Sequence, residues 1–182
     1  MKTEPPFDPL VEQARMIRRS HVNWAVACGI RLRPYQVRIA RAIMDSIIHK
    51  RGHSFVIILP RQSGKNEVQA HLLGWLLYRA GPRGGRIVSV SPTFHPQAVH
   101  CMERLRKYLD LNPGTRDKWS SSAGFLYRCD QARLQFLSAA ETSSVVGATA
   151  DLLLSEDEDQ DISIPKFDKD FDPMTASTNA TR

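Results

Sequence analysis

The sequence predicts an α/β protein with a mainly parallel sheet covered by helices. Apolar patterns with helical spacing alternate along the chain with short runs rich in Val, Ile and Leu, an order typical of parallel sheets. One such run, residues 55–59, leads through residues 63–65 (Ser-Gly-Lys) into a helical pattern. Another is followed directly by the acidic run 156–161. Because ligands of open parallel sheets bind outside the carboxyl ends of the strands, both features predict one site there.

Length and composition restrict the class of protein. The 182 residues are enough for one α/β domain with a substantial core. No apolar run approaches the length of a membrane span, and the N-terminus lacks the apolar core of a signal peptide. The three cysteines, Cys28, Cys101 and Cys129, are odd in number and widely spaced. They indicate reduced thiols of a cytosolic protein rather than a metal knuckle or a disulfide framework.

Charge is distributed unevenly along the chain. Residues 1–150 carry a net charge of +12, whereas residues 151–182 carry −6. A basic body suits a polyanion such as nucleic acid, although a solvated surface rich in arginine has the same composition. The acidic block is too local to serve solubility, and it indicates a site that holds a cation.

The N-terminal third is predicted to be helical. Residues 1–12 are rich in proline and predict an irregular arm, and residues 10–28 have apolar positions at helical spacing. A second helix is predicted to begin at Pro34, because proline fits the first turn of a helix. It ends near His49, where residues 50–52 (Lys-Arg-Gly) place cations and a glycine at the negative end of the helix.

The middle of the chain alternates strand and helix. Residues 55–59 are unbroken, apolar and partly β-branched, which predicts a strand buried on both faces. A helix with a buried apolar stripe is predicted over about 64–80. A second strand follows at 86–91, and a further amphipathic helix spans 96–110.

The last third mixes short strands with loops. Residues 124–139 alternate in polarity around a central turn, which predicts a hairpin. Residues 140–150 are small and polar and predict a mobile loop, and residues 152–155 predict a buried strand. The tail, 163–182, has two phenylalanines as its only large anchors.

The segment after the first strand has the features of a phosphate-binding loop. Backbone N–H groups and a helix N-terminus converge there on an anion, and Lys65 adds a mobile charge. Gly64 lets the backbone approach phosphate closely. Leu59 stands where the full pattern has Gly, and Asn66 stands where it has Ser or Thr, although its oxygen can still face Mg²⁺. The alternative is a plain strand–turn–helix with an exposed lysine. The predicted cradle consists of Gln62, Ser63, Gly64, Lys65 and Asn66.

The acidic run supplies the second half of a nucleotide hydrolase site. Asp157 is predicted to hold Mg²⁺, directly or through water, and Glu158 to act on the attacking water. The strand can end at Ser155, with Glu156 and Asp157 as the pair, or one residue later. We prefer the later register because it preserves the order Asp-then-Glu. The alternative is a solvated acidic turn, and crowded acids raise one another's pKa values unless a cation compensates.

Three further residues are candidates for nucleotide contacts. The Gln36 amide offers a donor and an acceptor together, which suits an adenine edge, and Tyr35 can stack on the base. An ordinary helix start explains both residues equally well. Arg61 can stabilise charge on the γ-phosphate or pair with an acidic neighbour, and the sequence does not choose between these roles.

Taken in order, these motifs resemble the N-terminal packaging ATPase of the large terminase subunit of tailed bacteriophages. Residues 60–67 are similar to the Walker A variant of that family, and residues 33–36 resemble the adenine-contacting motif that it shares with superfamily-two helicases. Residues 91–93 with 97–98 resemble the segment after the second strand. Residues 152–161 resemble the Walker B strand with its Asp-Glu pair, which supports the preferred register. The chain departs from the family by two additional acids next to that pair, Glu156 and Asp159.

The resemblance covers about residues 30–182 and implies a fold. It is a P-loop NTPase of the additional-strand, RecA-like type, a three-layer α/β/α structure with a mainly parallel sheet that is incomplete at its C-terminus. Residues 1–29 are then an N-terminal arm and helix, and residues 30–182 are the ATPase domain. The family's coupling strand and its nuclease domain are expected beyond Arg182, so nuclease activity is not expected from this chain.

The resemblance also implies an activity and partners. It implies an ATP-hydrolysing motor that uses Mg²⁺ and drives double-stranded DNA into a procapsid, with Glu158, Lys65 and Arg61 as catalytic residues. The implied partners are a portal protein and a small terminase subunit, with assembly as a homo-oligomeric ring in the bacterial host cytoplasm, at the procapsid portal, without membrane contact. The alternatives are a superfamily-two helicase-like DNA translocase and a non-hydrolysing nucleotide- or DNA-binding remnant.

Overall fold

A computed structural model describes residues 8–143, 145 and 147–182. The main helices are α1 (Pro9–Arg19), α2 (His21–Ala27), α3 (Pro34–Ile48), α4 (Lys65–Ala80) and α5 (Val99–Leu111). Two short helices, α6 (Ile164–Lys166) and α7 (Pro173–Ala176), lie in the tail. The strands are β1 (Gly85–Ser91), β2 (Trp119–Ser122), β3 (Leu126–Cys129), β4 (Ala132–Ser138) and β5 (Leu153–Glu156).

The five strands form one sheet in the order β2-β3-β4-β1-β5. β1 lies between β4 and β5 and is parallel to both, with Val90 opposite Glu156 at the β5 side. β2 and β3 extend the sheet with antiparallel pairings. The predicted α/β class with parallel strands is confirmed, and the hairpin predicted over 124–139 is formed by β3 and β4. The sequence gives no sign of β2, because its four residues are one Trp and three Ser without alternation.

Side chains alternate between the two faces of the sheet, and each face has its own core. Ile87, Leu134 and Leu153 pack in the larger core with α4 and α5. Their neighbours Val88 and Leu154 face the opposite side, where the tail covers them. Phe171, one of the two predicted anchors, is fully buried in this second core, and Phe167 packs against it. Short tail helices therefore form the third layer.

The N-terminal helices pack against α4. The single helix predicted over 10–28 is divided in the structure at Ser20, whose Oγ accepts the backbone N–H of Asn23 (3.4 Å) and starts α2. Trp24 on α2 is fully buried, and its ring contacts Tyr78 of α4 with centroids 5.7 Å apart. Most of α4 is buried, since it lies between these helices and the sheet.

Some predicted loops fall partly outside the described residues. Most of the arm predicted for residues 1–12 lies there, and the helix α1 already begins at Pro9, after the N-cap Asp8. In the loop predicted over 140–150, residues 144 and 146 lie outside the description. All three cysteines are buried free thiols, as predicted.

The prediction of a doubly buried strand at 55–59 is wrong. The segment belongs to no strand, and Val56 and Ile58 are 90% and 89% exposed. Its composition favours burial, but burial also needs a neighbouring strand along the whole segment. Only the start has one, because the N–H of Phe55 donates to the Arg182 carbonyl (2.9 Å).

The residues next to Phe55 show why pairing stops there. Thr181 and Arg182 lie between this segment and β5, since the Leu154 N–H donates to the Thr181 carbonyl (2.9 Å) and the Arg182 N–H donates to the His53 carbonyl (3.1 Å). Beyond this point, residues 56–59 make no backbone hydrogen bond to other described residues. Residues 56–59 and β5 instead line the same cavity.

We expect this difference to appear in amide hydrogen exchange. The N–H groups of residues 56–59 are open to water, whereas those of β1 are bonded on a buried central strand. Exchange at 56–59 should therefore be at least about a thousandfold faster than at the centre of β1, measured by NMR on the same sample. Equal protection of the two segments would contradict the exposed conformation.

Candidate functional site

The site is built around the loop of residues 60–64, termed the phosphate loop. Gln62 and Gly64 have positive φ angles of 61° and 81°, which turn the chain sharply into α4. Gly64 is the N-cap of α4, and no side chain among the described residues caps that helix end. The N–H groups of Lys65 and Asn66, which have no backbone acceptor among the described residues, are thus left for a ligand, and the helix dipole favours an anion.

Lys65, the first residue of α4, meets both predicted carboxylates. Its Nζ lies 3.0 Å from Asp157 Oδ1 and donates a short hydrogen bond to Glu158 Oε1. The structure thus brings Lys65 to two adjacent carboxylates that lie more than ninety positions further along the chain. Their roles stay a prediction, but their meeting satisfies the geometric requirement on which that prediction depends.

The electrostatics of this cluster favour its charged forms. Partial burial works against the charge of Lys65, but hydrogen bonds and attraction from Glu158 and Asp157 outweigh burial and raise the lysine pKa. The hydrogen bonds from Lys65 and Gln160 lower the pKa of Glu158. Glu158 is therefore ionised at neutral pH and able to accept a proton or a hydrogen bond.

The end of β5 agrees with the preferred register. The strand ends at Glu156, and the backbone N–H of Asp157 still donates to the Val90 carbonyl of β1 (2.9 Å). Glu158 then turns away with φ +51°. Asp157 is nearly buried beside Lys65, while Glu158 is partly exposed. The Asp-Glu pair thus follows the strand at the carboxyl edge of the sheet.

Glu156 faces a cavity of about 500 Å³ that Lys65, Asp157 and Glu158 also line. Its Oε1 is buried and has no hydrogen-bond partner among the described residues. Burial, with repulsion from Asp159, raises the pKa of Glu156 to about 7. The carboxyl is therefore largely neutral below that pH.

This raised pKa predicts a pH-dependent stability. A carboxyl with a raised pKa in the folded state contributes stability below its usual value of 4.5, and that contribution is lost as the pH rises through about 7. Glu156→Gln should make the metal-free protein more stable at pH 8, by about 1–3 kcal/mol, with little change at pH 4.5. Urea unfolding with EDTA at both pH values measures this. The exposed Glu103→Gln is the control, and equal pH slopes for Glu156→Gln and wild type would refute the assignment.

The remaining cradle residues differ in their surroundings. Gln62 is exposed and Ser63 is half-buried. Asn66 is half-buried in the first turn of α4 and does not line the cavity shared by Lys65 and the carboxylates. Arg61 is exposed and helps to lower the pKa of Glu158, but it forms no ion pair with a described residue. Its two predicted roles therefore stay open.

Tyr35 and Gln36 lie against the phosphate loop. The Tyr35 hydroxyl donates a short hydrogen bond to the Ser63 carbonyl, and Gln36 Nε2 lies 3.4 Å from the same oxygen. The structure thus brings both residues into the site, but onto the loop itself and not onto an open base pocket.

Gln69 lies beside the site although no motif includes it, and Glu67, the last residue of the motif 60–67, bonds outside the site. Gln69 Nε2 donates to Ser155 Oγ (3.3 Å) and connects α4 to β5 beside the cavity. The spacing of four residues from Lys65 places Gln69 on the same face of α4, a signal that sequence reasoning can use. Glu67 accepts a short hydrogen bond from the Tyr108 hydroxyl and connects α4 to α5.

The donor set limits which metal the site can hold. No group of three or more His, Cys, Asp or Glu side chains with the geometry of a metal site occurs in the described part of the chain. A carboxylate or two next to a phosphate site is how proteins hold Mg²⁺, which keeps several waters and binds substrate phosphates. Asp157 and Glu158 therefore fit Mg²⁺ bound together with a phosphate-bearing substrate.

No helix within residues 8–143, 145 and 147–182 is long and apolar enough to span a bilayer.

Comparison with known proteins gives structural neighbours only. No protein-family model and no curated protein matches the chain. The large terminase of bacteriophage HK97 superposes with a TM-score of 0.53 and 21% identity, over 69% of this chain and 26% of its own. The ATPase domain of the Thermus phage P74-26 large terminase, a point mutant, superposes with a TM-score of 0.62 and 19% identity, over 85% of this chain and 64% of its own. This chain therefore has the fold of phage large-terminase ATPase domains, as the motifs predicted, and spans only part of each neighbour.

Proposed function

We propose that this chain is the ATP-hydrolysing motor domain of a phage terminase large subunit, which drives double-stranded DNA into a procapsid. The observation that carries the proposal is the contact of Lys65 Nζ with Asp157 and Glu158 at the open N-terminus of α4. A phosphate cradle, a lysine and an Asp-Glu pair at one sheet edge are what nucleotide hydrolysis requires. The shared fold with terminase ATPase domains supports this reading.

The proposed role of each residue follows from its position in the site. The backbone N–H groups of residues 62–66 bind the phosphates, and Lys65 exchanges its carboxylate partners for phosphate oxygens when the nucleotide enters. Asp157 holds Mg²⁺, and Asn66 contributes from the first turn of α4. Glu158, ionised at neutral pH, orients the attacking water and accepts its proton. Mg²⁺, when bound, neutralises charge on the phosphates.

Arg61 completes the proposed set. Its exposed guanidinium lies on the phosphate loop, where it can stabilise charge that develops on the γ-phosphate. The same exposure allows it to reach an acidic group on a neighbouring subunit. We propose the first role for the isolated chain, since the loop position is fixed next to the phosphates.

The partners follow from the same proposal. Residues 30–182 form the motor domain, preceded by the N-terminal arm and helix of residues 1–29. The net charge of +12 on residues 1–150 supports contact with the DNA backbone. We propose that the protein acts as a homo-oligomeric ring on a portal protein, with a small terminase subunit, in the host cytoplasm.

Turnover of ATP by the purified chain tests the proposal. We expect Mg²⁺-dependent release of inorganic phosphate, together with sequence-independent DNA binding whose affinity falls as salt rises. Tight ATP binding without release of phosphate would favour the non-hydrolysing remnant instead. DNA affinity that does not change with salt would exclude the basic body as a phosphate-contact surface.

A further inference from the structure

We propose that Tyr35 and Gln36 are positioning residues that hold the phosphate loop in its anion-binding shape, and that they do not read the adenine base. The inference rests on the proposed function, because it concerns the same nucleotide site. Both residues lie in the first turn of α3, and both bond to the loop 27 or 28 residues further along the chain.

The polar atoms of Gln36 are already committed to the protein. Its Oε1 accepts the backbone N–H of Arg33 (2.8 Å), and its Nε2 lies 3.4 Å from the Ser63 carbonyl and 3.5 Å from the Gly64 carbonyl. The residue is only 5% exposed. Reading an adenine edge requires a free donor and a free acceptor on the same amide. Because the Gln36 NH₂ group faces two loop carbonyls and the residue is buried, its amide would have to turn away from the loop to offer a donor to a base.

The bonds to the loop carbonyls also orient the loop N–H groups. The peptide groups after Ser63 and Gly64 are trans, so each carbonyl points opposite to the N–H of the next residue. Both side chains hold the Ser63 carbonyl toward α3, so the N–H of Gly64 points away from α3. The Gly64 carbonyl accepts the N–H groups of Glu67 and Val68 in α4 (3.1 Å), so the Lys65 N–H points outward from the N-terminus of that helix, where an anion binds.

Gly64 fits closely against the Gln36 amide. A Cβ at this position would lie 2.7 Å from Gln36 Nε2, and the residue has φ +81°. A glycine is therefore needed both for the turn and for the contact with Gln36.

Ligand binding by three probes separates positioning from base reading. Affinities for ATP, GTP and inorganic tripolyphosphate are measured for wild type, Gln36→Ala and Tyr35→Phe. Positioning predicts that all three affinities fall together, by about three- to tenfold, because the phosphates are the shared part. Tyr35→Phe keeps the ring, so stacking on a base would survive this change while the bond to Ser63 is lost. Gln13→Ala, exposed on α1, is the matched control and should change nothing.

Amide exchange provides a readout that needs no ligand. The N–H groups of Glu67 and Val68 both donate to the Gly64 carbonyl (3.1 Å), so they report whether the loop holds the start of α4. Exchange at these two amides should rise by about fivefold in both variants, with global stability followed by urea unfolding. If wild type binds none of the probes, the proposed function fails, and this exchange alone decides the positioning role.

Two results would overturn the inference. One is a loss of affinity for ATP alone, with GTP and tripolyphosphate unchanged, which is the signature of base reading. The other is unchanged exchange at Glu67 and Val68 in both variants. Should Gln36→Ala fail to fold, the same two measurements on Tyr35→Phe decide.

Discussion

Lys65→Ala should lower the rate of ATP hydrolysis by about two to three orders of magnitude. The change removes the ammonium group that lies at the N-terminus of α4 and contacts both carboxylates. Without it, the phosphates lose a charge-assisted donor at the point where negative charge develops. Steady-state phosphate release at saturating Mg²⁺-ATP measures the effect.

Controls separate this loss from a general effect of charge or folding. Lys107→Ala removes an exposed lysine on α5 and should leave turnover within twofold of wild type. Because Asp157 is nearly buried, loss of its cation partner also destabilises the fold, so urea unfolding must show that the variant is native under assay conditions. If a natively folded Lys65→Ala variant retains more than a tenth of wild-type turnover, Lys65 is not a catalytic residue.

Glu158→Gln should lower turnover by about two to four orders of magnitude while ATP binding stays within a few fold of wild type. The amide has nearly the shape of the carboxylate, but it cannot accept a proton from the attacking water. Its hydrogen bond to Lys65 can persist through the remaining oxygen, so the cradle keeps its geometry. Single-turnover kinetics and a separate equilibrium titration with ATP distinguish the chemical step from binding.

The matched control for this prediction is Glu156→Gln, two residues earlier. It makes the same chemical change at the carboxyl that the other strand register would place in the catalytic pair. We expect its turnover to remain close to wild type in an assay at pH 6, because Glu156 is largely neutral below its pKa of about 7. A large loss of turnover in Glu156→Gln together with normal turnover in Glu158→Gln would show that Glu158 is not the water-activating residue.

Much of the fold could be predicted from the sequence, because helix starts and buried strands are marked by the residue types within short stretches of the chain. The helix α3 begins at Pro34, as the fixed φ of proline favours, and β1 and β5 lie where the apolar runs occur. The approach of Lys65 to Asp157 was predictable for a more general reason. Ligand sites of parallel sheets lie at the carboxyl edge, where Asp157 follows β5, and Lys65 reaches the same edge although residues 55–59 before it form no strand.

Other features depend on contacts that no local pattern contains. Residues 55–59 have the composition of a buried strand, but their burial requires a neighbour that a one-dimensional pattern does not report. The bond between Tyr35 and Ser63 depends on how α3 docks against the phosphate loop. The contact of Gln36 with an adenine base stays a prediction, and the hydrogen bonds that its amide makes within the protein are visible only in three dimensions.

The exposed segment 56–59, whose backbone makes no hydrogen bond to other described residues, favours association between molecules in solution. Val56 and Ile58 project into water beside amide and carbonyl groups that lack partners among the described residues. Such an edge is a template on which a second molecule can add its own backbone, and natural proteins usually cover it or place charges there. Concentrated preparations of the chain are therefore expected to self-associate and to become turbid, independently of nucleotide.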